Sequence, residues 1–155
     1  MTILDLKPQN VWRCFHALTQ IPRPSGHTQK VAEFLVNHPD VAWVKFPGLP
    51  GDSQYDKAKK YLPNGSSGVL CLGLKGGRDF DNRFMDSLRL VTIETHVADC
   101  HTCILHPASH THRQLSDAQL RAAGIDPGLM RLSIGLEDPE DIIDDLRQAL
   151  EAAHV

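Results

Sequence analysis

Apolar residues recur at two different periods along the chain, and the switches between them divide it into alternating helices and strands. Val11, Trp12, Phe15 and Leu18 fall at helical spacing, with Pro8 suited to a first turn, so residues 8–20 predict a helix. The run from Ile21 to Gly26 (IPRPSG) breaks it, because proline removes a backbone donor and biases its predecessor to extended geometry. Ser25 or Thr28 then caps a second helix carrying Val31, Phe34 and Leu35, which must end before Pro39. Residues 41–46 (VAWVKF) read as a short strand closed by PGLPGD. Ser53 is placed to cap a helix through Tyr55, Ala58, Tyr61 and Leu62. After the turn NGSSG, residues 69–74 (VLCLGL) have the unbroken apolar character of a strand buried on both faces.

Phe80, Phe84, Met85 and Leu88 share one side of a further helix, and residues 88–95 and 103–106 read as two more strands. Ser116 and Gln119 form a capping-box pattern that opens a helix over 117–123, with Gly124 placed to end it. The stretch MRLSIGLE alternates: Met130, Leu132, Ile134 and Leu136 on one face, Arg131, Ser133 and Gly135 on the other. A last helix is capped by Asp138, starts on Pro139, and carries Ile142, Ile143, Leu146, Ala149, Leu150 and Ala153 as its core stripe. Strands interleaved with helices predict an α+β fold. We expect a small, mostly antiparallel four-stranded sheet with helices packed on one face, preceded by an N-terminal helix.

Composition changes this picture little. The chain has 155 residues, a net charge of −3 and 23% charged residues, so nothing points to nucleic acid or an anionic membrane as partner. No apolar run approaches the length of a bilayer span, and the first ten residues have neither the basic nor the apolar region of a secretory signal. Cysteines at 14, 71, 100 and 103 show no disulfide-framework spacing, which fits reduced thiols and a cytoplasmic protein.

Candidate chemistry is concentrated in one stretch. Five of the nine histidines and two of the four cysteines lie between His96 and His112. Cys100 and Cys103 form a C-x-x-C pair, and a zinc protein using His96, Cys100, Cys103 and His106 is one reading. Against it, a strand over 101–106 would turn the two cysteines to opposite faces, and no helical pattern follows Cys103 to make a thioredoxin-type site. The expectation is therefore that no metal joins the pair. Arg131 is the sharpest single residue. On a half-buried strand its guanidinium needs an anion, either a structural partner such as Asp99 or Glu137, or the carboxylate of a ligand that its rigid fork fits.

Two resemblances add to this. The segment VWRCFHALTQIPRPSGHTQKVAEFL resembles the N-terminus of cytosolic aminoacyl-histidine dipeptidases; it implies a helix pair and none of that family's metal ligands. From about Val31 onward, VAEFLVNHPDVAWVKFPGLP, YLPNGSSGVLCLGLKGG, HPASHTHRQL and MRLSIGLEDPEDIIDDL resemble the C-terminal domain of O-acetylhomoserine sulfhydrylases. These are pyridoxal-phosphate enzymes of cysteine and methionine metabolism, which replace the acetate of an activated homoserine with sulfide or a thiol. The two resemblances imply a helical extension over 1–30 joined to a domain over 31–155, with the junction inside a helix.

The second resemblance implies that Arg131, with the loop at His96 and Val97, binds the substrate α-carboxylate, and that His106, Ser109, Thr111 and Ser133 line the substrate wall. His96 and Ala98 depart from the family's commoner residues in that loop. The same resemblance implies that the cofactor's lysine lies in a different part of the enzyme. None of Lys7, Lys30, Lys45, Lys57, Lys59, Lys60 and Lys75 stands in the family's Schiff-base motif. The expectation is a chain that binds no cofactor and is inactive by itself. A non-catalytic module that self-associates through the uncovered sheet face or the N-terminal helix is the remaining alternative.

Overall fold

A computed structural model describes residues 3–20, 25–97 and 99–155. A 3-10 turn at Ile3–Asp5 leads into α1 (Gln9–Gln20) and α2 (Ser25–Val36), followed by β1 (Val41–Lys45) and α3 (Tyr55–Tyr61). Then come β2 (Val69–Leu74), α4 (Gly77–Asp86), β3 (Thr92–Ile93) and β4 (Cys103–Leu105). The chain ends with α5 (Asp117–Ala122), β5 (Met130–Ser133) and α6 (Pro139–Ala152). The expected IPRP break lies at residues 21–24, outside the described residues, as do the side chains of Leu18 and Ser25.

The strands form one sheet in the order β1-β2-β5-β4-β3. The four-stranded expectation is corrected to five strands, with segment 41–45 pairing on β2 at one edge. Three of the junctions are antiparallel, and the edge pair β3/β4 is parallel. The predicted strand over 88–95 shrinks to Thr92–Ile93, since residues 89–91 give their N–H groups to a carboxylate on α6 rather than to a neighbouring strand.

Because β5 alternates, its register sorts the whole sheet. Leu70, Leu132 and Ile104 stand opposite one another and are all buried, as are Leu72 and Met130. They form the core with Val31, Ala32 and Leu35 of α2, Phe80, Phe84 and Met85 of α4, and the α6 stripe Ile142, Ile143, Leu146, Ala149 and Leu150. Each of the larger side chains contributes about 1.5–3 kcal/mol by leaving water. The opposite face carries Lys45, Cys71, Arg131 and Leu105 in one cross-strand row, and Val69, Ser133 and Cys103 in the next. The core-forming helices α2, α4 and α6 lie on the other side, so the candidate residues Arg131 and Ser133 stand on the open face.

Local signals mostly hold. Ser116 makes the reciprocal capping box with Gln119, Gly124 follows α5 at φ +77°, and Asp138 accepts from Glu140 N ahead of Pro139. Three expectations are corrected. Ser53 does not cap α3; Asp52 organises that turn, accepting from Gln54 N at 2.8 Å and Phe46 N at 3.1 Å. Leu136 is exposed because the strand ends at Ser133 and the chain turns away. Val11 and Phe15, expected to pack α1 onto the domain, are 55% and 48% exposed. Burial on the N-terminal side begins instead with Thr28, Val31 and Ala32 of α2.

Candidate functional site

The site is built around the connection 94–102 between β3 and β4. Adjacent parallel strands need a connection that returns to its starting end, and here a short loop does so without a helix. Both ends of the loop are tied down. Asp145 on α6 accepts from the backbone N–H of Arg89, Leu90 and Val91 at 2.8–2.9 Å, which fixes the approach to β3. At the far end Glu137 accepts from Thr102 N at 2.7 Å and from Thr102 Oγ1 at 2.8 Å, while Leu136 N donates to Cys100 O. Gly135 is required at this crossing, since a Cβ there would come within 2.4 Å of Cys100 O and Glu137 Oε2.

Arg131 projects from β5 on the open face of the sheet and closes the site from below. Its Nη2 donates to the carbonyls of Thr95 at 2.7 Å and His96 at 2.9 Å. Both bonds end on backbone carbonyls and not on Asp99 or Glu137, so the internal ion pair considered from sequence is not what holds it. Its Nε is buried and has no hydrogen-bond partner among the described residues. Beside it, Ile93, Glu94, Thr95, His96, Leu105 and His110 line an open cavity of about 300 Å³. A cation therefore stands next to a cleft that Glu94 also lines, with no carboxylate within ion-pair distance of the guanidinium among the described residues, an arrangement that leaves room for an anionic ligand.

The other residues singled out from sequence divide into two groups. His96 and Val97 are exposed on the loop beside Arg131, and Ser133 is buried on the same sheet face. Ala98 lies outside the described residues. His106, Ser109 and Thr111, the other residues expected on the substrate wall, stand on the segment after β4. His106 is fully buried: its Nε2 donates to Pro127 O at 2.8 Å, so Nδ1 accepts from the Ser109 hydroxyl at 2.8 Å. Burial, aided by the Arg78 and His110 charges, pushes its pKa down against the pull of the Pro127 carbonyl. His106 is thus a neutral strut that joins β4 to the turn before β5. Thr111 is exposed and bonded to His112.

The zinc set of His96, Cys100, Cys103 and His106 is not assembled. Cys103 is buried with Sγ directed to His96 O at 3.3 Å, and both ring nitrogens of His106 are engaged. Cys100 precedes the strand, so its separation from Cys103 comes from the loop path and not from strand alternation.

Comparison with known proteins follows the same outline. The pattern of the Cys/Met metabolism PLP-dependent enzymes matches residues 6–151. The chain belongs to this family. It is 40% identical to the O-acetyl-L-homoserine sulfhydrylase of Leptospira meyeri, over 94% of this chain and 34% of the relative. It is 42% identical to the homocysteine synthase of Schizosaccharomyces pombe, over 84% of this chain and 31% of the relative. A crystal structure from Campylobacter jejuni, described as an O-acetylhomoserine (thiol)-lyase with a pyridoxyl-lysine phosphate, superposes with a TM-score of 0.76 at 40% identity. That match covers 94% of this chain and 36% of the other. The chain thus spans about a third of the length of the relatives it matches. The family span takes in α1 and α2 as well as the sheet.

The family's cofactor requires a lysine for its aldehyde, an acid facing its ring nitrogen, and donors for its phosphate. Five of the seven lysines have other contacts. Lys75 donates to Pro39 O, Lys30 faces Glu140, and Lys45, Lys59 and Lys60 lie over the rings of Trp43, Tyr55 and Tyr61. Lys59 borders the larger cavity of about 590 Å³, but no carboxylate lines that cavity with it.

Sequence reading missed two acids. Asp145 interrupts the apolar stripe of α6, and a carboxylate in a core stripe is itself a signal that backbone donors converge on it. Asp81 is buried on α4 with Oδ1 lacking a partner among the described residues. Burial pushes its carboxyl up to about 6, with Arg78 opposing and Asp126 adding to the rise. Only its depth beneath the 126–128 turn distinguishes it from the exposed acids of the same helix.

Proposed function

We propose that residues 31–155 are the C-terminal, substrate-binding domain of an O-acetylhomoserine sulfhydrylase-type enzyme, and that residues 1–30 are a dipeptidase-like helical extension joined to it within α2. In this reading Arg131 binds the α-carboxylate of the amino-acid substrate beside His96 and Val97, with Ser133 behind it on the same face. The reaction of the whole enzyme is the replacement of acetate by sulfide or a thiol, within cytoplasmic methionine and cysteine biosynthesis. The 155-residue chain by itself carries no such activity, because none of its lysines stands in the family's Schiff-base motif.

The observation that carries this reading is the placement of Arg131, held by the Thr95 and His96 carbonyls with no ion-pair partner among the described residues. The exposed α1 face offers a surface for self-association. Titration of the purified chain with O-acetyl-L-homoserine, followed by amide chemical shifts, tests the assignment. Shifts at Thr95–Val97 that vanish in Arg131→Leu are expected. Equal shifts in the variant would remove Arg131 from the role. A visible absorbance from bound pyridoxal phosphate, abolished by a lysine variant of this chain, would overturn the claim of inactivity.

A further inference from the structure

The 94–102 loop gathers a second constellation that the carboxylate-binding reading does not use. His101 Nδ1 lies 3.4 Å from Asp99 Oδ1 and 3.5 Å from Cys100 Sγ. The other oxygen of Asp99 faces His96 Nδ1 at 4.0 Å, and Glu94 Oε2 lies 3.0 Å from the same ring nitrogen. Asp99, Cys100 and His101 therefore present one oxygen, one sulfur and one nitrogen within 4.8 Å of one another, as do the donors of Glu94, His96 and Asp99. We propose that Asp99, Cys100 and His101 form a three-ligand binding site for a zinc-class divalent transition cation, with the fourth position open to water.

Distance and donor chemistry both support the assignment. Zinc bonds of about 2.0–2.3 Å at tetrahedral angles place neighbouring ligand atoms about 3.3–3.7 Å apart. The two separations at His101 fall in that range. A set of one thiolate, one imidazole and one carboxylate selects a borderline cation; magnesium and calcium call for more oxygens.

The backbone beside the ligands is tied to the segment after β5: Leu136 N donates to Cys100 O, and Glu137 accepts from Thr102 N. This set differs from the C-x-x-C reading, since Cys103 is turned inward and takes no part. The site also stands independently of whether Arg131 binds a carboxylate.

The test is titration of the purified chain with Co²⁺ under a non-thiol reductant, followed by competition with Zn²⁺. The expected result is one equivalent of cobalt with tetrahedral visible bands and a thiolate-to-metal charge-transfer band, displaced by zinc. Cys100→Ser should remove the charge-transfer band, while Asp99→Asn and His101→Gln each weaken binding at least about tenfold. All three side chains lie at the surface, and unchanged circular dichroism of the variants confirms the fold. A charge-transfer band that survives Cys100→Ser, its absence from the parent chain, or affinity unchanged in Asp99→Asn and His101→Gln overturns the proposal.

Discussion

Removing the carboxylate of Asp145 tests whether α6 holds the functional loop in place. This side chain is buried, and its two oxygens accept from Arg89 N, Leu90 N, Val91 N and Gln148 Nε2, all at 2.8–2.9 Å. Hydrogen bonds to an ionised acceptor are worth about 1.5–3 kcal/mol each, which makes the sum of the four an upper bound. Arg89 and Leu90 lie near the surface, so their N–H groups can turn to water once the carboxylate is gone. Val91 is buried, and its N–H remains an orphan. Asp145→Ala is therefore expected to lose about 3–4 kcal/mol, and Asp145→Asn, which keeps one acceptor oxygen, about half of that. Urea unfolding should show a lower midpoint with an unchanged slope, and hydrogen exchange of amides 92–97 should accelerate, since β3 and the loop lose their anchor. A loss below about 1 kcal/mol for Asp145→Ala would refute the reasoning, because a buried N–H left alone costs at least that much.

Three further outcomes follow from the same geometry. Asp81 has a folded pKa of about 6, raised above its unfolded value, so its contribution to stability is full below about pH 4 and is lost as pH rises through 6. Asp81→Asn should gain up to about 3 kcal/mol at pH 8 and flatten the stability profile between pH 4 and 6, measured by urea unfolding across pH; an unchanged profile would show that Asp81 does not titrate in that window. Arg131→Ala removes two bonds to carbonyls near the surface and should cost about 1–2 kcal/mol in chemical denaturation; a loss of about 3 kcal/mol or more would make Arg131 a structural residue rather than a ligand-binding one. Val11→Ser with Phe15→Ser should leave the unfolding midpoint of the monomer within about 0.5 kcal/mol of the parent; a larger loss would show that α1 packs on the domain in solution.

The chain's local patterns determined most of its elements. Asp138-Pro139 and Ser116 with Gln119 specify helix starts through contacts a few residues apart, and the α6 stripe reports its buried face directly. Alternation in MRLSIG placed Arg131 opposite Met130 and Leu132 for the same reason: side-chain direction along a strand is a property of the strand alone. What the tertiary structure decided depends on partners far along the chain. Segment 41–45 took its place at the sheet edge because β2 offered it a ladder, and 88–91 failed to become a strand because Asp145 took its donors. The buried state of His106 was set by Pro127, and the exposure of Phe15 by the lack of a covering surface among the described residues. The histidines and cysteines of 94–102 were legible as a cluster in composition. Which of them face one another was not, because that follows from a loop that returns between parallel strands and is held by Arg131 and Glu137 from another part of the sheet.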